Sequence, residues 1–389
     1  MKKIAVIFEG NIDQRYGVFN AVINRVKYLR GVSDFQIDIF MIQVYDKWLT
    51  RKFRNSRSVA KGPATIVEDG ETIKMWWVSR DFVDAVLHRT LGSKPLKLLS
   101  KLNRLADQLK DYDIVTAHDM LPAHVAWSAS KKFHIPFFVT WHGASIYTAP
   151  VHDKMVKKLT QNLINKADCN FFVTQRLAEY ASKLFATDIK YQVLLNGAAD
   201  TFVRYSDEER ASLREKHGVN GKKVVTFAAR FAQEKNVLLL PDIFKAIKEK
   251  YEGEVQFWAF GEGTLKNKVK AAIKACGVDC KFWGNQPPTS MPEYLNCTDV
   301  LVLPSILEAM PLITIEALSC GANAVGSDVM GIASAIGQDN VVDLADSEFV
   351  EKFSNRAVEM LCGSIEQTLP PDCSWMATAK KEYEIYNNY

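Results

Sequence analysis

Two carboxylates interrupt a stretch otherwise apolar enough to be core. In "LPSILEAMPLITIEALSCGANAV" (303–325), Glu308 and Glu316 stand eight residues apart. A carboxylate accepts hydrogen bonds where Leu or Ala accepts none, so an acid at such a position can hold hydroxyl groups. Pro311 near the start of "PLITIEALSC" and Gly321 past its end punctuate a helix, which puts Glu308 in the preceding loop and Glu316 in the second turn. Both acids can then face one cleft. Taken singly, each is equally well explained as a solvated charge or as one near a helix N-terminus, worth roughly 0.3–1 kcal/mol.

Three other signals fall just past segments that read as strands. "VVTFAAR" ends in Arg230 and is followed by Lys235; a planar guanidinium and an ammonium there can clamp a diphosphate, although two ordinary surface cations would look the same. "FWAFGEGTLKNKV" (257–269) sets Gly261 and Gly263 between a strand and a helix, where backbone N–H groups can approach a phosphate closely; a tight turn is the plainer explanation. "VTWHGASIYTAP" (139–150) places His142 at a strand end, suited to catalysis or to structural hydrogen bonding.

The elements that must position these residues are short apolar runs alternating with amphipathic stretches. Strands are expected at 3–8, 36–42, 113–118, 136–142, 169–174 and 192–196, with helices such as 18–30 and 95–110 between them. The alternation restarts after the charged stretch 197–223, with strands at 224–230, 255–260, 280–284, 300–305 and 323–327. Strands alternating with helices make a parallel, helix-covered sheet, and 389 residues exceed one ordinary core. Two Rossmann-like units in tandem are expected, meeting near 196–222, with ligands in a cleft beyond the carboxyl ends of their strands. Seven scattered cysteines without a C-x-x-C pair suggest reduced thiols in the cytosol. Cys276 and Cys280 lack a second ligand pair for zinc.

The ordered set of motifs resembles the retaining GT-B glycosyltransferases of the family 4 type. It is carried by the Glu308/Glu316 pair, "FAARFAQEKN" (227–236), "AFGEGTL" (259–265), "FWGNQPPTSMPEYLNCTDVLVLPS" (282–305) and "LLNGAADTF" (194–202). The ending "CSWMATAKKEYEIYNNY" (373–389) looks like the family's last helix. The resemblance implies an α/β fold of two Rossmann-like domains facing across a deep cleft. Residues 1–196 would form the acceptor-side domain, completed by a crossing helix at 373–389, and 197–372 the donor domain. The reaction implied is transfer of a sugar from a nucleotide-diphosphate donor, UDP-sugar favoured, to an acceptor hydroxyl with retention of configuration. Arg230 and Lys235 would neutralise the departing diphosphate, Glu316 would accept the ribose hydroxyls, and Glu308 would face the donor sugar. His142 would touch that sugar and stabilise an oxocarbenium-like transition state. Gly261, Gly263 and Leu312 would complete the donor site, and Tyr16, Gly17 and Asn196 would lie toward the acceptor. No metal and no other cofactor is expected, the cations doing its work; Asp111-Tyr112-Asp113 reads as strand-entry polarity.

Departures from the family pattern concern the acceptor side, where Tyr16 precedes Gly17 in place of a glycine pair, and the sugar pocket, where Gly331 stands alone in "SDVMGIASAIG" (327–337). After His142 comes "GASI", without the acid often found there. A GT-B epimerase or an inactive GT-B binding module are the alternatives within the fold. A nicotinamide-dependent dehydrogenase would want G-x-G-x-x-G after the first strand, which "FEGNIDQRYG" lacks. From Lys47 to Val67 the chain carries six Lys or Arg and no acid. With the basic helix at 94–104 and Trp76-Trp77, this suggests a glycan, anionic polymer or lipid-linked acceptor and a peripheral contact with an anionic membrane at its cytoplasmic face; a solvated loop and packed tryptophans are the bland alternative. Nucleic acid is not expected, given the net charge of +4 and no binding motif.

Overall fold

The computed structural model describes residues 1–12, 17–54, 61–91 and 95–389. Tyr16, named above, lies outside the described residues, as do Arg57 of the basic stretch and Lys94, the first residue of the basic helix expected at 94–104. The chain divides into two compact units, Met1–Leu195 with Trp375–Tyr389, and Asn196–Ser374.

The first unit is built on an eight-stranded sheet: β1 (Lys3–Glu9), β2 (Gln36–Asp46), β3 (Thr65–Glu68), β4 (Glu71–Arg80), β5 (Ile114–His118), β6 (Phe137–Trp141), β7 (Cys169–Phe172) and β8 (Tyr191–Val193). Its order is β3-β4-β2-β1-β5-β6-β7-β8, all parallel except the β3–β4 hairpin. A parallel sheet is covered on both faces, so its central strands are mostly apolar. In β1, Ile4, Val6 and Phe8 join one core with Phe19, Val22, Ile23, Val26 and Leu29 of the helix Val18–Val32, while the intervening Ala5 and Ile7 are buried as well. Ala379 and Tyr386 of the C-terminal helix Trp375–Asn387 enter that same core.

This helix is also tied by charge. Arg25 Nε donates to Glu382 Oε2 at 2.5 Å and its Nη1 to Thr140 Oγ1 at 3.0 Å. Tyr386 Oη donates to the other oxygen of Glu382 at 2.7 Å. Both Arg25 and Glu382 are buried.

The β3–β4 hairpin was not among the expected strands. Its turn is Asp69-Gly70, both at positive φ (48° and 81°), which is the signature of a two-residue hairpin loop whose twist matches the strands. Trp76 and Trp77 sit on β4. Trp76 is buried, stacked on Phe40 with centroids 4.5 Å apart and donating from Nε1 to Gln108; Trp77 donates from Nε1 to the Pro63 carbonyl at 2.7 Å. They are packing residues.

The second unit has six parallel strands: β9 (Lys223–Ala228), β10 (Val255–Phe260), β11 (Cys280–Gly284), β12 (Val300–Leu303), β13 (Asn323–Ser327) and β14 (Val341–Val342). The order β11-β10-β9-β12-β13-β14 is the Rossmann order, and it reverses between β9 and β12. Ligands of such sheets sit outside the carboxyl ends of the strands at that reversal. In the first sheet the corresponding point lies between β1 and β5. Among the described residues no helix is long and apolar enough to cross a membrane.

Candidate active site

In the second unit the loops after β9 and β12 meet. Lys235 ends a short 3-10 turn, Gln233–Lys235, and its Nζ forms an ion pair with Glu308 Oε1. Ser305 Oγ donates to the same oxygen at 3.1 Å. The Ile306 N–H donates to the Glu234 carbonyl at 2.9 Å, which stitches one loop to the other. Glu308 is buried, so its charge is tolerated because an ammonium and a hydroxyl compensate it. Arg230 is exposed and pairs with Glu234 four residues on.

Gly261 and Gly263 position the Arg230 loop by close approach. They have φ of 115° and 158°, and a Cβ on either would collide with the carbonyl oxygen of Ala229 or Phe231. The gap thus left is bridged by backbone bonds, Phe231 N–H to Glu262 O at 2.9 Å and Leu265 N–H to Phe231 O at 3.1 Å. A larger residue would push the loop carrying Arg230 away.

Glu316 lies on the helix Leu312–Ser319, which begins with Leu312 and has no side-chain cap at its N-terminus. Its carboxyl is half-buried, has no side-chain partner among the described residues, and is pushed up to about 7 by burial. A carboxyl held where protein atoms strip its water, with nothing donating to it, is an acceptor awaiting a donor. Asn196 is buried and donates from Nδ2 to the Met310 carbonyl at 3.1 Å. It therefore fastens the loop between Glu308 and that helix rather than standing on the first unit. Gly331 donates its N–H to the Glu308 carbonyl at 3.2 Å.

His142 belongs to the first unit, one residue past β6. Its Nε2 is 2.8 Å from His118 Nδ1, with the two rings stacked at 5.1 Å. Burial, helped by the Arg25 charge, pushes His142 down to about 3, and His118 is also pushed well below the ordinary imidazole value. Both rings are therefore neutral near pH 7 and offer hydrogen bonds rather than charge. Asp119 Oδ1 accepts the His142 backbone N–H at 3.2 Å; burial pushes Asp119 up to about 6, and Asp119 adopts φ 67°, unusual for a non-glycine. Glu9, at the end of β1, is exposed as a residue, while desolvation of its carboxyl, followed by the nearby Asp119 charge, pushes that group up to about 7. His118, Asp119 and Glu9 were not singled out in the sequence. The register of β1, β5 and β6, with Phe8 opposite His118 and His118 opposite Thr140, gathers them beside His142. Gly17 precedes the helix Val18–Val32 with φ 58°. Asp113 accepts the Lys3 N–H at 2.7 Å, a strand-entry bond. Among the described residues, no three His, Cys, Asp or Glu gather as a metal site.

Two family models match the chain: Glycosyltransferase Family 4 over residues 79–202 and Glycosyl transferases group 1 over 209–361. A putative teichuronic acid biosynthesis glycosyltransferase, TuaC of Bacillus subtilis, is 25% identical over 64% of this chain and 60% of its own length. The N-acetyl-alpha-D-glucosaminyl L-malate synthase of Bacillus anthracis is 22% identical over 68% of this chain and 69% of its own. The match thus spans about three fifths of the length of the first of these relatives. Among solved structures, a sucrose-phosphate synthase from Thermosynechococcus elongatus superposes with a TM-score of 0.73 at 16% identity, covering 100% of this chain and 99% of that one. HepE of Anabaena, solved with UDP and glucose, gives 0.67 at 14% identity, covering 99% and 100%. At these identities the superpositions establish the fold.

Proposed function

This chain belongs to the family 4 type of GT-B glycosyltransferases, and from that membership we propose that it moves a sugar, with retention of configuration, from a nucleotide-diphosphate donor to an acceptor hydroxyl. UDP-sugar is the favoured donor and a glycan, lipid-linked or anionic polymer the favoured acceptor. The UDP in the HepE structures and the teichuronic acid role named for TuaC support that choice. The observation that carries the reading is the pairing of Lys235 with Glu308 where the second sheet reverses order.

In this reading the diphosphate takes Lys235 from Glu308 and Arg230 from Glu234, so each cation is held in place beforehand by an acid that the ligand displaces. Glu308, released, accepts hydroxyl hydrogens of the donor sugar, and Glu316 those of the ribose. As the bond from sugar to phosphate breaks, negative charge grows on the leaving diphosphate and the two cations stabilise it. That charge is what a metal ion would otherwise neutralise, so the proposed reaction needs neither metal nor other cofactor. On the first unit His142, neutral, is a hydrogen-bonding group rather than a charge. All seven cysteines are free thiols, as a reducing compartment would leave them, and we place the enzyme in the cytoplasm.

Thermal unfolding with added nucleotides tests the donor class. A nucleoside diphosphate at a hundredfold excess over its dissociation constant adds about 2.7 kcal/mol of stability. UDP is expected to raise the midpoint more than GDP; stabilisation by NAD alone would contradict the proposal. Because exposed ion pairs are worth about 0.2–1 kcal/mol, Glu234→Gln is expected to tighten UDP by up to about fivefold by freeing Arg230. Calorimetric titration measures this, and weaker binding in the variant would remove Glu234 as a competitor.

The acidity of Glu316 gives a pH signature. Ribose hydroxyls donate to the ionised carboxylate, and with the group titrating at about 7 the competent fraction rises from about a tenth at pH 6 to about nine tenths at pH 8. UDP affinity is expected to rise several-fold across that window beyond the change seen in Glu316→Gln, which keeps the contribution from the nucleotide's own phosphate. Identical pH profiles for the two proteins would contradict the role.

A further inference from the structure

Three helices of the first unit turn apolar residues to the solvent. Val83, Leu87 and Leu91, spaced four apart on the helix Phe82–Leu91, are 40–76% exposed, while Asp84 and Ala85 form its buried side. Trp48 and Leu49 open the helix Trp48–Arg54, with Trp48 64% exposed, and Leu96 stands exposed at the start of Leu96–Leu105. These are not scattered residues. Phe53 and Phe82 meet with ring centroids 5.6 Å apart, and Trp48, Leu49 and Phe82 line one concavity of about 310 Å³ with Lys47 and Lys101.

The net charge around this patch is positive. Lys47, Arg51, Lys52, Arg89 and Lys97 are exposed among the apolar residues. The one acid in the three helices, Asp84, is buried and accepts the Leu98 N–H at 2.8 Å; Asp81, just before the second helix, is paired with Lys97 at 3.2 Å. A second copy of the chain docking here symmetrically would press cations on cations. Aliphatic side chains and a tryptophan interspersed with Lys and Arg match instead the boundary between acyl chains and anionic headgroups, where both terms are favourable.

We propose that this face docks on a bilayer of anionic lipid. It extends the sequence-level expectation of a basic stretch by adding the apolar stripe that enters the boundary, and it leaves out Trp76, which is buried, and Trp77, which is half-buried against the core. The helices follow directly on the carboxyl ends of β2 and β4. Glu9, Asp119 and His142 stand at the carboxyl edge of the same sheet. A membrane on this face would therefore offer a lipid-linked hydroxyl to that edge. The binding itself goes beyond the proposed transfer reaction and is read without it.

Sedimentation of the full chain with vesicles of phosphatidylglycerol and phosphatidylcholine, against phosphatidylcholine alone, is the test. Retention is expected on the anionic vesicles only, weakening between about 0.05 M and about 0.5 M salt as screening shortens. The Val83→Ser/Leu87→Ser/Leu91→Ser variant, altered only at exposed positions, is expected to partition about tenfold less with an unchanged unfolding midpoint. Arg51→Glu/Lys52→Glu should lose the salt-sensitive part. No retention at low salt, equal retention on both vesicle types, or wild-type retention by the triple-Ser variant would each overturn the proposal. So would a wild-type dimer in sedimentation velocity that the triple-Ser variant dissolves, because the face would then be covered by a second copy.

Discussion

Lys235→Ala is expected to lower turnover by about 10²–10³-fold, the usual loss when one preorganised group facing developing charge is removed. Lys235 is held rigidly before any donor arrives. Its ammonium is paired with a buried carboxylate that a serine hydroxyl also supports, on a turn bonded to the loop after β12. An interaction prepared in this way strengthens as the leaving group gains charge, so the loss should fall on kcat more than on KM. Lys235→Arg should recover part of the rate, since the charge returns with different geometry. The variant also leaves Glu308 buried without its cation, so unfolding midpoints must be measured alongside, and Lys235→Ala/Glu308→Gln separates that cost from the catalytic one. A Lys235→Ala enzyme turning over within threefold of wild type would remove the ammonium from the chemistry.

Glu382→Ala is expected to destabilise the first unit by about 3–5 kcal/mol, because it strands a buried guanidinium without its counter-ion. Among the described residues, Arg25 would keep only Thr140 as a side-chain partner for one nitrogen and the face of Phe171, 5.5 Å from its carbon, for contact. Its Nη2 already lacks a hydrogen bond among the described residues. The expected result is a large fall in the denaturation midpoint. The Arg25→Met/Glu382→Leu double variant should regain most of it, since replacing both charges by apolar groups of similar size is often neutral or favourable. Equal losses in the single and double variants would mean that helix packing, rather than the ion pair, holds Trp375–Asn387 in place.

The two cases show which features a linear reading reaches. Strands such as Val255–Phe260 and Asn323–Ser327 coincide with their expected limits because a strand covered on both faces reads as a largely apolar run. The hairpin Thr65–Arg80 escaped, since an edge pair alternates apolar with charged residues and lacks that run; its Asp69-Gly70 turn was the available signal. In the site, Lys235, Glu308 and Glu316 were recognisable by type and by position after strands. That Lys235 and Glu308 bond to each other was not, since seventy-three residues separate them and only the β9–β12 pairing brings them together. His118 and Asp119 follow the same logic beside His142. Arg25 and Glu382, 357 positions apart, left no trace in local pattern, because a buried charge pair is visible only once both partners have been placed in one core.

The protein soaked with UDP and solved by crystallography tests the central claim most directly. The expected electron density places the diphosphate against Lys235 Nζ, with the Lys235–Glu308 pair opened, Arg230 turned from Glu234 toward phosphate, and the ribose hydroxyls on Glu316. Nucleotide bound elsewhere, or at this edge with Lys235 still paired to Glu308 and Glu316 untouched, would contradict it.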